Sequence, residues 1–134
     1  MNATSFLAFG LAATVLSMTS QGPGANDPVA AAERAADASA ATPEGKKFEV
    51  AVGTAFERDQ GKSIQACATA IGRPDLSDFR LLIYLSAAGE AEQVLAKPDT
   101  NLAACVRGKL KGWKVGQKPV AAGWVGVHVK LRAK

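Results

Sequence analysis

Two cysteines and one histidine are the residues of this 134-residue chain whose types are most suited to chemistry. Cys67 and Cys105 do not belong to a C-x-x-C motif, and no histidine lies beside either of them in sequence, so we expect no redox catalysis. In an exported protein of this size, a pair of cysteines favours a disulfide. That bond would stabilise the fold by about 4 kcal/mol. Two buried free thiols, packed as small apolar groups, are the alternative.

His128 lies within an alternating apolar segment, and no set of metal ligands with zinc-like spacing can be assembled around it. The chain also contains no G-x-S-x-G motif, no phosphate-binding glycine loop and no recognisable pair of catalytic carboxylates. We therefore expect a protein that is not an enzyme. No catalytic residue, metal or cofactor is predicted.

Two helical segments position the cysteines. Between Lys46 and Ile71 apolar residues recur at helical spacing, as one kinked helix or two short ones, and Cys67 falls on the apolar face. A second helix is predicted from Asn101 to about Trp113, with Cys105 on its apolar face. The disulfide would therefore join the inward faces of two helices.

Three strands complete the predicted domain. Residues 79–86 are apolar on both faces, which is typical of a central strand, and residues 90–96 return after a turn at Gly89. The last strand, residues 124–131, alternates apolar and polar positions. The order helix(-helix), strand, strand, helix, strand predicts an α+β fold, with helices on one face of a three-stranded antiparallel sheet. Both outer strands would then be edges, and Lys130 either protects its edge or takes part in pairing with a partner.

The first 45 residues predict an export leader followed by a linker. Residues 6–16 form an uncharged apolar run with the length of a signal-peptide core, too short to span a bilayer. We expect a signal peptide over residues 1–20, cut between about residues 17 and 25, with an uncleaved anchor as the alternative. Residues 21–45 are rich in alanine and poor in large apolar side chains, which indicates a linker or disordered tail. The folded domain is expected over residues 46–134, in the periplasm or secreted.

Basic residues are concentrated at the C-terminal end. Up to Asp99 the chain has 8 basic and 12 acidic residues, whereas from Thr100 onward it has 8 basic residues and no acidic one. Such charges form a solvated face or, alternatively, a site for an anion. The residues of this candidate basic face are Arg107, Lys109, Lys111, Lys114 and Lys118.

The run DFRLLIYLSAAGEAEQVLAKPDTNLAACVRGKLKGWKV, followed by WVGVHVKL, resembles the C-terminal domain of TonB-like energy transducers, in particular short secreted versions that contain cysteines. The resemblance extends over about residues 64–131. It implies a periplasmic module that binds an extended peptide from an outer-membrane receptor along the edge of its last strand. Carried over to this chain, the binding residues are Trp124, Val125, Gly126, Val127, His128, Val129 and Lys130. The membrane anchor and proline-rich spacer of a transducer are not seen in this sequence, so the resemblance implies the fold and edge binding without energy transduction.

These features predict an exported, non-enzymatic protein-binding or adaptor module that captures an extended peptide by adding it to the edge of the sheet. Its partner would be a protein or peptide of the cell envelope, such as an outer-membrane protein. Nucleic acid is not expected as a partner, and a membrane is expected only through an uncleaved leader. The alternative is a membrane-anchored component of an envelope transport or motility complex.

Overall fold

The computed structural model describes residues 27–131 and confirms the α+β architecture. The elements in chain order are α1 (Pro28–Ala40), α2 (Pro43–Ile71), β1 (Phe79–Leu85), β2 (Ala91–Lys97), α3 (Asn101–Leu110) and β3 (Gly123–Val129). The strands form one antiparallel sheet in the order β2-β1-β3, so the doubly apolar strand is central, as expected. The predicted signal peptide lies outside the described residues.

One face of the sheet, called the front face here, carries the main core beneath α2 and α3. Leu81 and Ile83 of β1 project into it and are fully buried, together with Val52 of α2 and Leu102 of α3. Burial of side chains of this size stabilises the fold by about 1.5–3 kcal/mol each. The front face therefore holds most of the apolar burial of the domain.

Helix α2 is a single helix of 29 residues, which decides between the two alternatives left open by the sequence. It continues through Gly61 and ends at Gly72, whose φ of 82° suits a residue without a side chain. Cys67 near its C-terminal end is bonded to Cys105 of α3. The expected disulfide is thus confirmed, and it joins the two helices of the front face.

Helix α1 covers the opposite face, called the back face here. A linker or disordered tail was predicted over residues 21–45, and this prediction is wrong for the described part of that segment, from residue 27 onward. Asp27 caps the helix by accepting a hydrogen bond from the Val29 N–H, and proline occupies its first turn. Ala32 and Ala36 pack onto Leu82 of β1, and all three are buried. Small side chains suffice in α1 because the sheet supplies the large apolar ones. The sequence showed too few large apolar residues in this segment to predict that it would pack.

A short connection of Ala41 and Thr42 carries the chain from α1 on the back face to α2 on the front face. Thr42 caps α2, because its hydroxyl accepts a hydrogen bond from the Gly45 N–H. The two helices approach so closely here that a Cβ atom at Gly45 would overlap the carbonyl oxygen of Ser39. The connection passes beside the start of β3, where it lines a cavity of about 510 Å³ together with residues 119–125.

Candidate functional site

The outer edge of β3 is the candidate site, because its backbone groups point away from the sheet. The Leu131 N–H donates to a carboxylate oxygen of Asp78, just before β1, at 2.7 Å, so it points toward the central strand. The backbone N–H and C=O groups of successive residues point to opposite sides of a strand, so those of Val129 and Val127 also point toward the central strand. The backbone groups of the residues between them point outward, away from the sheet.

The residues of β3 whose backbone N–H and C=O groups point outward are therefore Trp124, Gly126 and His128. Lys130, just after the strand, continues the pattern. No hydrogen bond among residues 27–131 uses the N–H or C=O groups of Gly126 or His128 on this side. An edge strand in this condition can pair with a further strand. The structure thus divides the predicted binding residues into two sets. One set has outward backbone groups that can bind a partner. The other set consists of the valines between them, Val125, Val127 and Val129, which are buried in the core.

A groove of about 470 Å³ runs between this edge and α2 and is called the β3 groove here. Val50 and Ile64 of α2 form part of its wall, and Val127 and Val129 border it on the strand side. Val50 is 59% exposed and therefore offers accessible apolar surface beside the open strand. The β3 groove therefore combines unpaired backbone groups with accessible apolar surface.

Two glycines in the interior of α2, Gly53 and Gly61, also line the β3 groove. A glycine inside a helix costs about 1 kcal/mol relative to alanine. A close helix contact could have explained Gly53, but no heavy atom lies within 4 Å of the position that a Cβ would occupy at either glycine. Within the described structure, both glycines leave the wall of the groove recessed.

Polar side chains are found on both sides of the β3 groove. Glu49 and Glu57 lie on the α2 side, and His128 and Lys130 lie on the strand side. Glu49 accepts a hydrogen bond from the Lys46 ammonium at 2.9 Å. His128 is exposed, as the alternating pattern of the strand predicts. The α2 side of the groove is thus acidic, whereas His128 and Lys130 belong to the alternate positions of β3 whose side chains lie toward the back face.

The candidate basic face lies elsewhere, on the end of α3 and the segment that follows it. Lys109 and Lys111 are exposed there, and Lys114 lies opposite Glu90 in an isolated bridge. Arg107 is engaged by Asp99 through two hydrogen bonds of 2.8 and 2.9 Å. The Arg107 guanidinium holds the pKa of the Asp99 carboxyl below its usual range. Arg107 therefore has a structural partner, and these cations do not belong to the β3 groove.

Among the described residues, no group of three or more histidine, cysteine or acidic side chains is arranged to hold a metal ion. None of the helices in that part of the chain is long and apolar enough to cross a membrane. The disulfide indicates an oxidising environment, such as the periplasm or the outside of the cell.

Comparison with protein-family models, with curated proteins and with solved structures finds no match to this chain. The likeness to TonB-like domains therefore rests on the sequence motifs and on the element order described above, and it stays a hypothesis.

The residues that attach α1 to the sheet were not predicted from the sequence. The Arg80 guanidinium, on the central strand, contacts Asp37 at 2.8 Å and Glu33 at 3.6 Å, and Lys97 contacts Glu33 at 2.9 Å. A charged residue within the most apolar strand is the signal that could have revealed them, because a buried charge requires a partner. The spacing of Glu33 and Asp37, four residues apart, places both on one side of a helix.

Proposed function

We propose that this protein is an exported, non-enzymatic binding module that captures an extended peptide by strand addition at β3. The observation that carries the proposal is the row of outward-pointing backbone groups at Gly126 and His128, which have no partner among residues 27–131. Backbone hydrogen bonds would supply affinity, and side chains entering the β3 groove would supply selectivity. The resemblance to TonB-like domains supports the same mode of binding.

The geometry also suggests how the added strand would lie. Side chains alternate between the two faces of a sheet, so every second residue of the peptide would enter the β3 groove. Those residues would meet Val50 and Ile64, and the recesses at Gly53 and Gly61 leave room for apolar side chains. The remaining residues of the peptide would point toward the back face, beside His128 and Lys130.

The disulfide and the apolar leader support a location in the periplasm or outside the cell. In that setting the partner would be a protein or peptide of the cell envelope. A mature N-terminus near residues 20–26, found in the soluble fraction, would support this location, whereas retention in the membrane would favour the anchored alternative.

The direct test is a proline at an outward-pointing position. His128→Pro removes an outward N–H and leaves the hydrogen bonds between β1 and β3 in place, so proline is tolerable there. We expect capture of a peptide of alternating valine and threonine to weaken about tenfold, which corresponds to about 1.4 kcal/mol, the size of one hydrogen bond. Fluorescence anisotropy of a labelled peptide measures this. His128→Ala, which keeps the N–H, is the matched control and should bind like the parent protein.

Methylation of peptide nitrogens gives a second readout. If the peptide pairs with β3, methylation of the alternate nitrogens that face β3 should prevent capture. Methylation of the other alternate nitrogens, which face away from β3, should leave capture unchanged. Equal effects of the two methylation patterns, or equal capture by His128→Pro and His128→Ala, would refute strand addition.

A further inference from the structure

Helix α1 is attached to the back face by a small apolar contact and by ion pairs. Its buried residues, Ala32 and Ala36, cover Leu82 of the sheet in a cluster of three buried residues, which is much smaller than the core beneath α2 and α3. The ion pairs link Glu33 to Arg80 and Lys97, and Asp37 to Arg80. Electrostatic contacts therefore make a larger relative contribution to the position of α1 than to that of α2 or α3.

Arg80 is seated in a specific position beneath α1. Its side chain is only 14% exposed, and a Cβ atom at Gly126 would lie 2.6 Å from its guanidinium, so glycine at this position makes room for the charge. The Nε atom of Arg80 is buried without a hydrogen-bond partner. The carboxylates of Glu33 and Asp37 are thus the groups that compensate this buried cation, and they come from α1.

The position of α1 also limits the open edge. Ala35 and Ser39 of α1 and Thr42 of the connection line the cavity beside Trp124, at the start of β3. A peptide that pairs only with residues 126–130 lies along the β3 groove. A peptide that extends to Trp124 must enter the space beneath the connection, where it meets the last turn of α1.

We propose that α1 is a releasable latch, held by the ion pairs of Glu33 and Asp37 with Arg80 and Lys97, that limits the length of peptide which β3 can bind. With α1 docked, strand addition is confined to residues 126–130. With α1 released, the edge is open from Trp124 onward and accepts a longer segment. This inference rests on the proposed function and adds its regulation.

The release of α1 is measured first, without any peptide. In the full chain, Glu33→Gln combined with Asp37→Asn should speed hydrogen exchange of the α1 backbone amides by at least about tenfold, since both carboxylates that compensate the buried Arg80 guanidinium lose their charge. High salt should give a smaller increase in the parent protein, because partly buried pairs are screened less than exposed ones, and little further effect in the double variant. Arg34→Gln is the matched control, because this exposed residue of α1 forms no ion pair within the described structure.

Peptide binding is then compared for two probes of alternating valine and threonine, five and nine residues long. A minor open state lowers apparent affinity in proportion to its population, so the double variant should bind the nine-residue peptide about tenfold more tightly. Its affinity for the five-residue peptide should not change. Gly45→Ala provides a second route to release, because its methyl group would push against Ser39 without touching an ion pair or β3, and it should shift both readouts in the same direction.

The possible outcomes separate the two proposals. If peptides bind but the affinity for the longer one does not rise when α1 exchange rises, the latch is refuted and strand addition stands. Unchanged exchange in both variants and in high salt would also refute the latch. If neither the parent protein nor any of its variants captures either peptide, the proposed function is refuted, and so is the role of α1 in controlling it.

Discussion

The two outer strands of the sheet differ in how their edges are treated. The protein's own chain covers the edge of β2 at its first residue: the Ala91 N–H donates to the Trp113 carbonyl at 2.8 Å, and the Gly112 N–H donates to the Ala91 carbonyl at 2.8 Å. The edge of β3 has no such cover among the described residues. Proteins usually protect exposed edges, because an open edge can pair with other chains. The two edges thus differ at one end: β2 begins under a covering segment, whereas β3 has no such segment within residues 27–131.

Glycines bring the covering segment against β2. Gly112 follows the end of α3 with a φ of 88°, which turns the chain back along the strand. Gly89, at the hairpin turn, accepts a hydrogen bond from the Val115 N–H at 3.0 Å. The cover at the start of β2 therefore depends on two local turns and on backbone contacts.

The largest expected effect comes from removing the disulfide, because it joins α2, the wall of the β3 groove, to α3, which leads into the segment that covers β2. Cys67→Ser together with Cys105→Ser should lower the free energy of unfolding by about 4 kcal/mol, because the bridge closes a long loop in the unfolded chain. Urea unfolding measures the loss. The parent protein in reductant should show the same decrease, and a loss below about 1 kcal/mol would contradict the expectation.

A side chain at Gly89 should break the cover of β2. Gly89 has a φ of 85°, and a Cβ there would overlap the carbonyl oxygen of Gln117. We expect Gly89→Val to cost about 2 kcal/mol of stability and to expose the second edge, which size-exclusion chromatography would detect as self-association. Gly108→Ala, at an unobstructed position in α3, is the control and should be neutral or slightly stabilising. Full stability in Gly89→Val would mean that the covering segment is not needed.

The smallest expected effect concerns the ion pair of Asp99 with Arg107, between β2 and α3. Arg107 lowers the pKa of Asp99, so the contribution of the pair is complete above the ordinary carboxyl pKa of about 3.9 and is lost as the pH falls through the lower folded-state value. Asp99→Asn should cost about 0.5 kcal/mol at neutral pH, since the pair is partly exposed, and should reduce the loss of stability in acid. Urea unfolding between pH 2 and pH 7 tests this. Arg107→Gln should produce the same flattening, and a profile identical to that of the parent would contradict the assignment.

Sequence patterns predicted the elements in which large apolar side chains and turn residues determine the structure. Strand β1 reads as central because both of its faces are buried, and the structure places it between β2 and β3. The disulfide was predicted because Cys67 and Cys105 fall on the apolar faces of two helices. Helix α1 was not predicted, because it has few large apolar side chains and its ion pairs with Arg80 and Lys97 join residues distant in sequence.

For the candidate site, the sequence determined that β3 is an alternating strand at the end of the sheet, because period-two hydrophobicity is a local property of the chain. Only the tertiary structure decided which of its backbone groups point outward, that α2 forms a groove beside them and that α1 approaches Trp124. The same holds for the cover on β2. These features depend on strand register and on contacts between distant segments, and a local pattern of residue types does not contain that information.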